Sequence, residues 1–184
     1  GEEAFREEVK KNMLRELENA VKNNVKTQVF EGLLSCTELT TPKVMVESEI
    51  NSLRQQAVQR FGGNQNIDPS MLPAEMFQSQ AEQRVSIGLM MNEIIKQNEL
   101  KAKPAKVKSI IEELAAGYEN PEEVVAWYYS ESEQLAQIEI MALEESVIDL
   151  ILEQATVKEI TSSYEDALKP VDKPQKQVEA KSKA

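Results

Sequence analysis

Leu114-Ala115-Ala116-Gly117-Tyr118-Glu119-Asn120-Pro121-Glu122-Glu123-Val124-Val125-Ala126-Trp127-Tyr128-Tyr129 reads as a helix stop followed by a helix start, and it holds four of the chain's nine aromatic residues. Gly117 relaxes the end of the first helix. Asn120 suits the N-cap, Pro121 the first helical position, and Glu123 at N3 completes a capping-box pattern. A tight corner then brings Leu114 and Tyr118 of one helix near Val124, Trp127 and Tyr128 of the next. On these residues alone two readings stay open: a small satellite core between two helices, or an apolar surface that receives something.

Outward from the corner the pattern stays helical. Lys103-Pro104 opens the helix that ends there, with Val107, Ile110, Ile111, Leu114 and Tyr118 along it. The helix leaving the corner is expected to run from Pro121 to about Ala155. Its stretch from Ser130 to Gln134 is wholly polar, and Leu135, Ile138, Met141, Ala142, Ile148 and Ile151 then restore an apolar face. Upstream, Thr41-Pro42 starts a helix with Val46, Ile50, Leu53, Ala57 and Phe61 on one side, ended by Gly62-Gly63. A loop through Asp68-Pro69 carries Ile67, Met71 and Leu72, and a partner helix from Pro73 to about Asn98 carries Phe77, Ala81, Val85, Gly88, Met91 and Ile95. These two helices form an antiparallel hairpin.

The first helix spans Glu2 to about Cys36. Phe5, Val9, Met13, Leu17, Val21, Val25, Val29 and Leu33 recur every four residues. A four-residue step overshoots the helical turn by about 40°, so this row winds around the helix and meets different partners along its length. Val157 to Leu168 is only weakly periodic. Lys169 to Ala184 mixes Pro, Lys, Gln and Ala without period and is expected to be a disordered tail. The fold class is all-α, with a helical domain over 1–168.

Composition narrows the function. The 184 residues include no histidine and a single cysteine, Cys36. Histidine-based triads, imidazole metal sites, disulfides and cysteine-pair zinc sites are thereby excluded. The net charge of −11 argues against a nucleic-acid surface. The tail from Lys169 carries five lysines against Asp172 and Glu179, a net +3 that leaves −14 on the body. No apolar run approaches the roughly 20 residues of a membrane span, and the acidic start is unlike a signal peptide. A cytoplasmic setting is expected, and the opening glycine reads as that of a processed or excised fragment. The acidic pairs Glu112-Glu113, Glu122-Glu123 and Glu144-Glu145 point about 100° apart on helices and do not converge, so they read as solvated faces. No catalytic residue, cofactor or metal is expected. Seven methionines spread over several helices suit irregular cores and adaptable binding faces alike.

The order of motifs resembles the C-terminal domain of the trigger factor family, ribosome-associated bacterial chaperones. The stretches that carry the resemblance begin with Gln28-Val29-Phe30-Glu31-Gly32-Leu33, Pro42 with Glu49-Ile50, and Leu53-Arg54-Gln55-Gln56. Gln59-Arg60-Phe61-Gly62-Gly63, Leu72-Pro73 with Phe77, and Arg84-Val85 through Gly88-Leu89 to Glu93 follow. Asn98-Glu99-Leu100-Lys101-Ala102, Ile111-Glu112-Glu113, Tyr118-Glu119-Asn120-Pro121 and Ala142-Leu143-Glu144-Glu145 complete the series. The resemblance implies an elongated helical body with two projecting arms, about 42–98 and 103–155, that enclose a cradle for unfolded or nascent polypeptide without ATP.

On that resemblance Leu114, Tyr118, Val124, Trp127 and Tyr128 are expected to contact clients on the second arm, and Leu53, Phe61, Ile67, Met71 and Phe77 on the first. The family's ribosome-docking and prolyl-isomerase domains are expected to be absent from this chain, so ribosome contact is expected only through domains outside it. Two functions follow. One is an ATP-independent holding chaperone with unfolded or nascent polypeptides as partners and weak self-association through the same patches. The other is a helical scaffold whose patches are covered by one specific partner.

Overall fold

The computed structural model describes residues 1–37, 39–60 and 68–170. Among them lie seven α-helices and no strand: α1 (Glu2–Cys36), α2 (Lys43–Arg60), α3 (Glu75–Gln97), α4 (Pro104–Ala115), α5 (Pro121–Ser130), α6 (Ser132–Gln154) and α7 (Tyr164–Ala167). A short 3₁₀ turn, Pro69–Met71, follows α2. The expectation that the last 16 residues are disordered falls, from Val171 onward, outside the described residues.

The chain divides into two compact units. The first contains Gly1–Gly32 and the segment from Val157 onward. The winding apolar row of α1 buries little: Val29 is its only buried residue, and Phe5 is 67% exposed. Phe5, Val9, Met13 and Leu17 instead border an open groove of about 360 Å³, shared with Tyr164. Polar bonds fix the returning segment. Tyr164 Oη donates to Glu16 Oε2 at 2.9 Å, and this carboxylate holds the phenol above its ordinary 10.0. Asn24 Nδ2 donates to the carbonyls of Ala167 at 3.0 Å and Lys169 at 3.1 Å.

Helix α7 is a single turn, too short to persist on propensity alone, and its ends are correspondingly well bonded. The Asp166 N–H donates to Ser163 Oγ at 3.2 Å, while Ser163 Oγ donates to Asp166 Oδ2 at 2.7 Å and Lys169 Nζ to Asp166 Oδ1 at 2.7 Å. The Lys169 ammonium first, then the Ser163 hydroxyl, hold the Asp166 carboxyl below its ordinary 3.8. A depressed carboxylate pKa stabilises the fold fully above the unfolded value and loses that contribution as pH falls through the folded one. The Ser163–Lys169 amide signals are therefore expected to hold steady down to about pH 4 and to shift below it. An NMR titration that placed the Asp166 midpoint at or above 3.8 would contradict this cap.

The second unit spans Leu33–Thr156. In it α2 and α3 pack as the expected hairpin, with Val46, Ile50, Leu53, Ala81 and Val85 as core. These positions follow the i, i+3/i+4 spacing that places apolar side chains on one helical face. Arg84 Nη1 bridges to Glu49 Oε1 at 2.9 Å across the pair. At the turn, Asp68 Oδ1 accepts the Ser70 N–H at 2.9 Å, which lowers its carboxyl pKa, and Pro69 occupies the first helical position. Helix α3 ends in a Schellman pattern: Leu100 N–H donates to Ile95 O at 2.9 Å and Glu99 N–H to Lys96 O at 3.3 Å. Glu99 takes the left-handed position that glycine usually fills, with φ 49°.

Helices α4, α5 and α6 form the other packed group, and α6 also touches α3. Val107, Ile110, Ile111 and Ala115 make one buried face on α4. Against it pack Ile138 and Ala142 of α6, with Val125, Tyr128 and Leu135 at the margin. The single long helix expected from Pro121 to Ala155 is two. Glu131 turns extended (φ −98°, ψ 101°) and separates α5 from α6. Nothing in the polar Ser130–Gln134 stretch is buried to hold a straight helix, and the break lets both halves pack on α4.

Candidate functional site

The corner between α4 and α5 presents most of its apolar surface to solvent. Ile111 and Ala115 are fully buried beneath it, whereas Leu114 is 41%, Tyr118 63%, Trp127 48% and Tyr129 48% exposed. Val124 is half-buried. The Trp127 and Tyr128 rings meet edge to face, with centroids 5.0 Å apart and planes at 70°, a favoured aromatic geometry. Tyr128 in turn lies against the Val107–Ile111 core. The corner is thus a rigid floor carrying a partly exposed aromatic wall.

Backbone bonds fix its geometry. The Tyr118 N–H donates to Ala115 O at 3.0 Å and closes the end of α4. At the other end of α5 the Trp127 carbonyl accepts from Ser130 Oγ at 2.8 Å and from the Glu131 N–H at 3.1 Å. Asn120 occupies the N-cap position and Pro121 follows it, but the Asn120 side chain makes no capping bond, contrary to the capping-box expectation. Its backbone ψ of 77° lies outside the extended conformation usual for a bonded cap. Glu122 and Glu123 fill the first turn of α5, where the helix dipole favours negative charge.

The residues expected on the first hairpin fare differently. Leu53 is 5% exposed within the hairpin core and supports the fold instead of offering a contact. Phe77 is half-buried against the same core. Met71 stands clear at 78% exposure, while Phe61 and Ile67 lie outside the described residues. Of the corner residues, Tyr128 is committed mainly to packing. Sequence reasoning passed over Met76, 72% exposed beside Phe77, and Tyr129 at the corner. Both stand next to a residue that packs, and a neighbour on a helix points about 100° away, which was the available signal. Met141, expected on the packed face of α6, is exposed together with Ile140.

Among the described residues no group of three or more Cys, Asp or Glu side chains gathers to hold a metal ion. No helix there is long and apolar enough to cross a membrane.

A sequence model of the bacterial trigger factor protein (TF) C-terminus matches residues 3–153, the α1–α6 region that carries both the hairpin and the corner. The chain belongs to this family. It is 53% identical over 175 residues to the trigger factor of Stutzerimonas stutzeri (strain A1501), covering 95% of this chain and 40% of that protein. Trigger factors of Azotobacter vinelandii (strain DJ / ATCC BAA-1303) and Pseudomonas putida (strain GB-1) are each 51% identical, over 94% of this chain and 39% of theirs. The chain therefore spans about 40% of the length of these trigger factors.

Proposed function

We propose that this chain is an ATP-independent holding chaperone domain that binds apolar segments of unfolded or nascent polypeptides in a cytoplasmic setting. Membership in the trigger factor C-terminal family supports a chaperone role in general. The observation that carries the finer reading is the corner itself, where Leu114, Tyr118, Trp127 and Tyr129 are 41–63% exposed over a fully buried Ile111. Large apolar side chains held open by a packed floor lose no core energy while free and gain burial when a client covers them. Exposed Met71 and Met76 at the turn of the hairpin add flexible, polarisable contact surface with little demand for a particular client sequence.

Each patch is weak alone. Several acting on one tethered chain raise the affinity through effective concentration while each contact still releases fast. In this reading the chain takes no nucleotide or metal and catalyses no reaction. The test is an NMR titration with two or three unrelated, permanently unfolded proteins. Signals of Tyr118, Val124, Trp127 and the exposed methionine methyls are expected to shift or broaden with every one of them. A response to a single folded partner alone would replace this reading by that of a scaffold with a dedicated partner.

A further inference from the structure

We propose that Met71 and Met76 form a reversible oxidation site that tunes the grip of the α2–α3 turn on apolar segments. The tuning rests on the holding-chaperone reading; the selectivity of the chemistry does not. The seven methionines fall into three groups. Met71 and Met76 are 78% and 72% exposed, Met13, Met45 and Met141 are 43–44% exposed, and Met90 and Met91 are 8% exposed. The two most exposed stand close together in sequence, on either side of the Leu72-Pro73 step.

Their backbones are held while their side chains are free. The Met71 N–H donates to Asp68 O at 3.0 Å and the Met76 N–H to Pro73 O at 3.3 Å. An oxygen added to either sulfur therefore meets solvent, whereas Met90 and Met91, only 8% exposed, are largely shielded from the oxidant. The oxidant is a hydroperoxide. A thioether lone pair attacks the terminal peroxide oxygen, the O–O bond breaks, the sulfoxide S–O bond forms, and with hydrogen peroxide the other oxygen leaves as water. A thiol-dependent methionine sulfoxide reductase reverses the step, taking two thiols to a disulfide and releasing water. Sulfoxide formation turns a flexible apolar side chain into a polar one. At this turn the change costs no core packing and acts only on what the turn can bind.

The experiment uses the whole chain in a Cys36→Ser background, because Cys36 is exposed and also reacts with peroxide. Limited hydrogen peroxide treatment followed by peptide mass mapping is expected to show Met71 and Met76 oxidised at least about fivefold faster than Met90 and Met91, with circular dichroism unchanged. Equal rates at all four would overturn the site. Binding of a permanently unfolded, carboxymethylated protein is then measured before oxidation, after it, and after reductase treatment. Oxidation is expected to weaken binding about threefold, consistent with removing a modest apolar contact, and reductase to restore it. A Met71→Leu/Met76→Leu chain, whatever its starting affinity, is expected to bind equally before and after the same peroxide step. Unchanged affinity after oxidation, or an equal loss in the leucine variant, would overturn the tuning. If the untreated chain binds no unfolded protein, the holding reading falls and takes the tuning with it, a result distinct from both.

Discussion

A Tyr118→Ser/Trp127→Ser chain is expected to bind unfolded proteins about tenfold to thirtyfold more weakly than the parent while keeping its helix content. Fully burying a large apolar side chain contributes about 1.5–3 kcal/mol. Trp127 is 48% and Tyr118 63% exposed, so a client covers only the remaining half or so of each. That leaves about 1 kcal/mol per residue, and about 1.4 kcal/mol is a factor of ten in affinity. The same change removes the edge-to-face contact of Trp127 with Tyr128, worth about 0.5–1.5 kcal/mol to the fold. Stability should therefore fall by about 1 kcal/mol, far less than a core truncation costs. Fluorescence anisotropy of a labelled unfolded protein, set beside a urea titration by circular dichroism, separates the two effects. A drop in stability of several kcal/mol with unchanged affinity would make the corner a satellite core.

The largest loss of stability is expected three residues from Leu114. Ile111 is fully buried where α4 meets α6, and Ile111→Ala removes its outer methyl and methylene groups from the centre of that cluster. Such truncations cost about 2–5 kcal/mol, a large part of the roughly 5–15 kcal/mol that holds a domain together. Leu114→Ala is the control. It lies about 60° round the same helix and is 41% exposed, so its truncation should cost about 1 kcal/mol or less. Trp127 is the only tryptophan and touches Tyr128 at the edge of the same cluster, so its emission reports this group of helices directly. Urea midpoints read from that emission should fall sharply for Ile111→Ala and barely for Leu114→Ala. Equal shifts would mean that α4 does not present one buried and one open face.

Much of the fold was legible because its punctuation is local. α1 runs Glu2–Cys36 as its uninterrupted row of apolar residues implies, and α4 starts at the proline after Lys103. The break at Glu131 was not legible. Ser130–Gln134 is compatible with helix, and what interrupts it is the benefit of seating α5 and α6 separately on α4, a tertiary demand that outweighs weak propensity. The missing Asn120 side-chain bond belongs with it: the right residue stands at the cap, but its backbone angle differs from that of a bonded cap.

The candidate site was legible in part. Periodicity finds an apolar face without saying what covers it, so Leu53 on the hairpin and Leu114 at the corner looked alike. Leu53 has α3 opposite it, and Leu114 stands at the end of α4, where the chain turns away.

No residue of α5 is fully buried, although the helix is ten residues long and carries the aromatic wall. It meets the buried cluster at its margin, through the half-buried Val125 and Tyr128. Hydrogen-exchange protection within one fold ranges from almost nothing to the full unfolding free energy, and segments with few buried contacts sit at the low end. α5 should accordingly exchange its amide hydrogens by lifting off locally, while α4 and α6 exchange only when the cluster opens. On the proposed holding function, a bound segment would then leave without waiting for the domain to unfold, because the wall that would grip it can lift off the cluster locally.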